Sequence, residues 1–345
     1  MENIAPKDNS YLIGHEIQEK MILGAWKAHA LHQSLLIYGA KGIGKATFAY
    51  KIARFLLSAD DNNSEKYNSL DVSAESKVFR QISLGSHPDF KLVERNYLKS
   101  ERQKIYKAIN AGNYMTDEEL GDLKKSTEIV IDDVREVNEF LSKSSADGNW
   151  RVVLIDSADE MNRASANAIL KILEEPPAKT LLLLVAHNPE TLLPTIRSRC
   201  AKIELKQLQT NQVASLLRRY RSEMSEADIK QVSTMAEGSI GKAIKYADGG
   251  AVDFYQKIKE IAKAGASFKI DDMLKFCSLA ASDDNYDLFK ELIGRFLLEQ
   301  AKQGIKVEQN ADLYDRTVQI FRETESLNLD KMQAITNIMV EIARM

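Results

Sequence analysis

The chain has 345 residues, enough for two or three domains, and 44% of them are hydrophobic and 28% charged. That composition excludes a disordered chain, a collagen-like repeat and a disulfide scaffold. A net charge of −3 gives no global basic field for nucleic acid, and two distant cysteines, Cys200 and Cys277, are too few for a cysteine-built metal site.

The first ten residues lack the apolar core of a secretory signal. No run of about 18 apolar residues occurs, so a cytoplasmic chain without membrane contact is expected. Trp26 and His32 precede the first strand signal; an adenine-pocket wall or core packing both suit them, and packing is favoured. Three apolar runs then read as buried parallel strands: Leu35–Tyr38, Val152–Ile155 and Leu181–Ala186. Each ends in glycine or polar residues, at the carboxyl end where ligands bind in such sheets. The stretch 60–66 reads as a loop, and 96–128 as a solvated, partly helical excursion rich in Lys and Glu. The helix predicted over 164–173 must stop at Pro176-Pro177, which leaves Glu174 and Glu175 as solvated or interface carboxylates.

After Cys200 the period changes to that of helices. Val213, Leu216, Leu217 and Tyr220 share one face, and Ser225 with Asp228 opens a second helix carrying Ile229, Val232 and Met235, with Gly238 suited to its end. Gly249-Gly250 reads as a linker. Beyond it, Leu288, Leu292, Phe296 and then Val318, Phe321, Leu327 carry only helical periodicity.

Gly39, Gly42, Gly44 and Lys45 form a G-x-x-x-x-G-K pattern between a strand and a helix. Glycines let backbone N–H groups turn inward around phosphate oxygens, the lysine reaches the outer phosphates, and the helix N-terminus adds its dipole. The alternative is a glycine-rich turn that holds no nucleotide. The position that normally supplies a hydroxyl to Mg²⁺ is Ala46, whose methyl cannot ligate. Thr47 is rotated about 100° further round the helix, away from the phosphates. The acidic strand end is Asp156, but the glutamate that would orient attacking water is replaced by Ser157, a poor base without an activator. Both losses fall on hydrolysis rather than on folding.

These motifs, together with Leu12–Glu16, Ser86-His87-Pro88-Asp89, Trp150–Asp156, Asn167–Pro177 and Leu193–Cys200, resemble the delta-prime family of bacterial DNA polymerase III clamp-loader subunits, within the AAA+ superfamily. The resemblance implies an α/β P-loop AAA+ core with a parallel sheet over residues 1–205, a small helical lid over 206–250 and an all-α collar over 251–345. It implies a non-hydrolysing structural subunit that braces the ring loading the sliding clamp onto primed DNA. Arg199 would act as an arginine finger on ATP held by a neighbouring gamma/tau ATPase subunit, with the delta subunit in the same ring. Gly39, Gly42, Gly44, Lys45, Ala46, Thr47 and Asp156 would form a degenerate nucleotide site. No cofactor is required, and ATP or ADP held without hydrolysis stays open. The family's lid sensor arginine falls at Gly241, with Lys242 one step off and solvated. His187, with Asn188 beside it, occupies the other sensor position and carries no catalytic role in this reading. The four-cysteine zinc module of some relatives is absent, and Cys200 reads as packing. The rival readings are an active AAA+ motor subunit and a nucleotide-sensing regulator.

Overall fold

A strand covered on both faces needs no polar alternation, so the continuous apolar runs sit in the middle of a sheet. In the computed structural model, which describes residues 5–344 except 114, 122, 144 and 146–149, the chain falls into two compact units, 1–212 and 213–345. The lid and collar segments share the second.

The first unit opens with α1 (Glu16–Lys27), β1 (Ser34–Tyr38) and α2 (Lys45–Ser58). After α3 (Lys77–Ser83) and β2 (Phe90–Val93), the excursion carries α4 (Lys99–Asn110) and α5 (Asp117–Gly121). Its two limbs meet at Tyr97 and Lys125, and α4 buries no residue, as its polar composition demands. Then come α6 (Ile131–Ser142), β3 (Arg151–Ile155), α7 (Arg163–Ala168), α8 (Leu170–Glu174), β4 (Thr180–Ala186), α9 (Pro194–Arg197) and β5 (Ala201–Glu204). The loop read over 60–66 is a 3-10 turn, and the helix predicted over 164–173 is broken at Ile169 into α7 and α8.

All five strands are parallel, in the order β2-β3-β4-β1-β5. The three predicted strands are the inner ones. The two edge strands carried no apolar run: β2 is only partly buried except at Val93, and β5 buries Ile203 alone. Side chains from alternate strand positions feed two apolar clusters, one around Ile37, Leu154 and Leu183, the other around Leu36, Val153 and Leu184. Trp26 lies in the first cluster, 3% exposed, edge-on to Phe55 and Tyr67 at 4.9 and 5.4 Å. Packing therefore accounts for it. Its Nε1 donates to Asp61, which also accepts from Trp150 Nε1 and lies 3.3 Å from Lys179.

The second unit begins with α10 (Thr210–Tyr220), α11 (Glu226–Met235), α12 (Ile240–Asp248) and α13 (Ala251–Ala264). It continues through α14 (Ile270–Ala280), α15 (Asp283–Lys302), α16 (Val307–Ser326) and α17 (Lys331–Arg344). No strand occurs among its described residues. Ser225 caps α11 as expected, accepting from Asp228 N at 3.1 Å. Gly249 and Gly250 form a tight break between α12 and α13, and a Cβ on Gly249 would lie 2.8 Å from Leu288. Lid-segment and collar-segment helices are joined by polar contacts: Arg295 donates to Met235 O at 2.6 Å, and Lys242 pairs with Glu291 at 2.9 Å. Lys242 is thus paired while 42% of its side chain stays exposed, in line with the solvated reading. Leu288, Leu292, Phe296 and Phe321 are buried as predicted, whereas Val318 is exposed and Leu327, just past the end of α16, is exposed too.

Among the described residues, no helix is long and apolar enough to cross a membrane.

Candidate functional site

β1 delivers the chain to Gly39, whose φ of +149° and tight surroundings admit only glycine: a Cβ would lie 2.3 Å from Leu205 O. Gly42 and Gly44 also take positive φ, and α2 then starts at Lys45 with no side chain capping its N-terminus. The loop is pinned from the N-terminal segment, where buried His15 donates through Nε2 to Ile43 O at 2.9 Å. Leu12 packs where a side chain on Gly44 would have to go.

Lys45 is 3% exposed and donates to Gly39 O at 2.8 Å and Ala40 O at 2.7 Å. Burial pushes its ammonium down to about 8, opposed by the charges of Asp159 and Asp156. Asp156 directly follows β3, and burial, seconded by Glu94, raises its carboxyl above the ordinary range. Ser157 sits in the left-handed region at φ 58°, with Oγ 3.5 Å from His187 Nε2. Burial and the nearby Lys45 push the His187 imidazole down, which keeps it neutral near pH 7. Asp159, which the sequence reading passed over, accepts from the backbone N–H of His187 and Asn188 at 3.0 and 2.9 Å. A second acid three residues after a strand-end aspartate was the signal that could have found it.

The expected residues therefore do converge at the carboxyl end of the sheet. Their chemistry suits a phosphate better than a metal. The α2 N-terminus and the inward glycine loop are anion-binding geometry, and Lys45 spends two of its three N–H donors on its own loop carbonyls. Ala46 brings no oxygen, and Thr47 is buried one helical step on. Among the described residues, no cluster of three or more His, Cys, Asp or Glu could hold a metal ion. A hydrolytic Mg²⁺ does not fit this donor set.

Arg199 lies elsewhere. It precedes β5, whose Ala201 registers with Leu35, so it stands beside the amino end of β1. The P-loop leaves the carboxyl end, five residues away, roughly 16 Å at about 3.3 Å per residue. Arg199 borders a cleft of about 700 Å³ with Leu31, His32, Ser34, Glu174 and Pro176. Its Nη1 donates to Thr195 O at 3.0 Å and its Nη2 to Glu174 Oε1 at 2.5 Å. His32 is occupied locally, its Nδ1 2.8 Å from Ser34 O. Arg197, two residues earlier, pairs with Glu190. Cys200 is buried, its thiol pushed up to about 11 by desolvation, in keeping with a packing role. In the second unit, Gly241 is the second residue of α12, with no arginine at that position.

A parallel sheet with a P-loop after β1 and an acid directly after β3, followed in sequence by an all-helical unit, defines an AAA+ type P-loop protein. Residues 14–209 match the family model described as DNA polymerase III, delta subunit, and the chain belongs to that family. It is 33% identical over 180 residues to the DNA polymerase III subunit delta' of Pseudomonas aeruginosa, covering 52% of this chain and 44% of the relative. To the Escherichia coli subunit delta' it is 31% identical over 182 residues, covering 53% and 44%. To the subunit tau of Salmonella typhimurium it is 28% identical over 98% of this chain and 48% of the relative. The matches thus span about half the length of these curated relatives or less. The delta-prime resemblance read from the motifs holds.

Proposed function

We propose that this chain is a non-hydrolysing structural subunit of the DNA polymerase III clamp loader, working in the cytoplasm. It braces the ring that places the sliding clamp on primed DNA, and it offers Arg199 to ATP bound on a neighbouring gamma/tau ATPase subunit. The delta subunit completes the ring. The chain needs no nucleotide of its own; ATP or ADP held at the P-loop would remain unhydrolysed.

The observation that carries this reading is the opposition of the two sites. Arg199 stands at the amino end of the sheet and the P-loop at the carboxyl end, so the arginine serves no phosphate bound by its own chain. A planar guanidinium presented at the surface bridges phosphate oxygens and stabilises the charge that develops during phosphoryl transfer. Such fingers are worth roughly 10³–10⁵ in rate in well-studied cases. The motor reading is disfavoured by Ala46 and Ser157.

The test is DNA-stimulated ATP turnover of the reconstituted loader, wild type against Arg199→Ala, with subunit stoichiometry checked in both. A large loss of turnover in an intact assembly is expected. Unchanged turnover would reduce Arg199 to a structural residue and sink the proposal.

A further inference from the structure

We propose that Glu174 is the positioning residue for Arg199, an inference that rests on the finger reading above. A guanidinium on a flexible stem is an effective phosphate ligand only if its orientation is set before the phosphate arrives. Two acceptors set it here. Thr195 O takes Nη1 at 3.0 Å and Glu174 Oε1 takes Nη2 at 2.5 Å. Of the five guanidinium N–H donors these use two, which leaves three for a phosphate. The side chain stays 34% exposed beside the 700 Å³ cleft.

The backbone makes both anchors stationary. Glu174 is the last residue of α8, and Pro176-Pro177 prevents the helix from running on. An acid in a last helical turn gains nothing from the helix field; its place there is accounted for by the arginine it faces. Thr195 belongs to α9, which begins on Pro194 and ends at Arg197. The neighbouring Arg197 pairs with Glu190 and is the less exposed of the two, 23% against 34% for Arg199. Glu174 thus aims Arg199 while touching no reacting atom itself.

The experiment is steady-state ATP turnover of the whole loader reconstituted with full-length subunits, with DNA present. Glu174→Ala is expected to lower kcat about tenfold at unchanged KM, as for an interaction realised only in the transition state. Glu174→Gln keeps an acceptor oxygen and is expected to stay within about twofold of wild type. In an Arg199→Ala background, Glu174→Ala should add no further loss, since it acts only through that arginine. Wild-type turnover in Glu174→Ala, equal losses in the Ala and Gln variants, or additive losses in the double variant would each overturn the proposal. If Glu174→Ala fails to assemble, Glu174→Ser is measured in its place against the same expectations. Loss of turnover in Arg199→Ala beside an inert Glu174→Ala overturns the positioning role alone. An inert Arg199→Ala overturns the finger reading, and the positioning role with it.

Discussion

Lys45 is hydrogen-bonded to Gly39, the residue that opens its own loop, at 2.8 Å, with Ala40 O beside it at 2.7 Å. Two of the three N–H donors of its ammonium are thereby spent on loop carbonyls inside a buried setting.

The first prediction is that Lys45→Ala leaves the DNA-stimulated turnover of the reconstituted loader within about twofold of wild type, because no transition-state charge at this loop is being stabilised. A collapse of the size seen on disabling an ATPase subunit would contradict the non-hydrolysing reading. The measurement requires the assembled ring to be intact in both samples.

A second prediction concerns pH. The Lys45 ammonium has an ordinary value of 10.5 in the unfolded chain and lies at about 8 in the folded one. Between these values the unfolded chain binds more protons, so this group's contribution to stability rises with pH across that window. Below it, the buried positive charge is a constant penalty. Lys45→Met does not titrate. Its stability relative to wild type should therefore be highest near pH 7 and decline between pH 8 and 10. Parallel pH profiles in chemical denaturation would refute the depressed value.

A third prediction is structural. Asp61 accepts from Trp26 Nε1 and Trp150 Nε1, both at 3.0 Å. Asp61→Ala leaves two indole N–H groups without that acceptor and should destabilise the first unit by about 2–4 kcal/mol. Asp61→Asn keeps an acceptor oxygen and should cost clearly less. Thermal melts followed by circular dichroism would separate the two variants, and equal melting temperatures would mean the carboxylate is not a structural hub.

The inner strands were legible because burial on both faces imposes an unbroken apolar run, as in Leu181–Ala186. Phe90–Val93 and Ala201–Glu204 were not, because a strand with one neighbour can carry polar residues at alternate positions. Gly39, Gly42, Gly44, Lys45 and Asp156 were found from spacing, and they do meet. His15, Asp159 and Glu174 were not assigned their contacts. Each acts through tertiary proximity: His15 reaches Ile43 across 28 positions, and Glu174 reaches Arg199 across 25. No local pattern encodes such a pairing. The self-bonded state of Lys45 was likewise invisible, since a loop lysine reads the same whether it faces a phosphate or its own carbonyls.

The shared acceptor of Trp26 and Trp150 has an optical consequence. These are the chain's two tryptophans, and both belong to residues 1–212. Indole emission therefore comes from the sheet unit alone, and its response to denaturant follows that unit while the helices after Val213 stay dark at those wavelengths. Tyrosines occur in both units, Tyr38 and Tyr50 in the first and Tyr246 and Tyr255 in the second, so tyrosine emission separates nothing. Selective excitation of indole therefore follows the unfolding of the sheet unit by itself, with no label added.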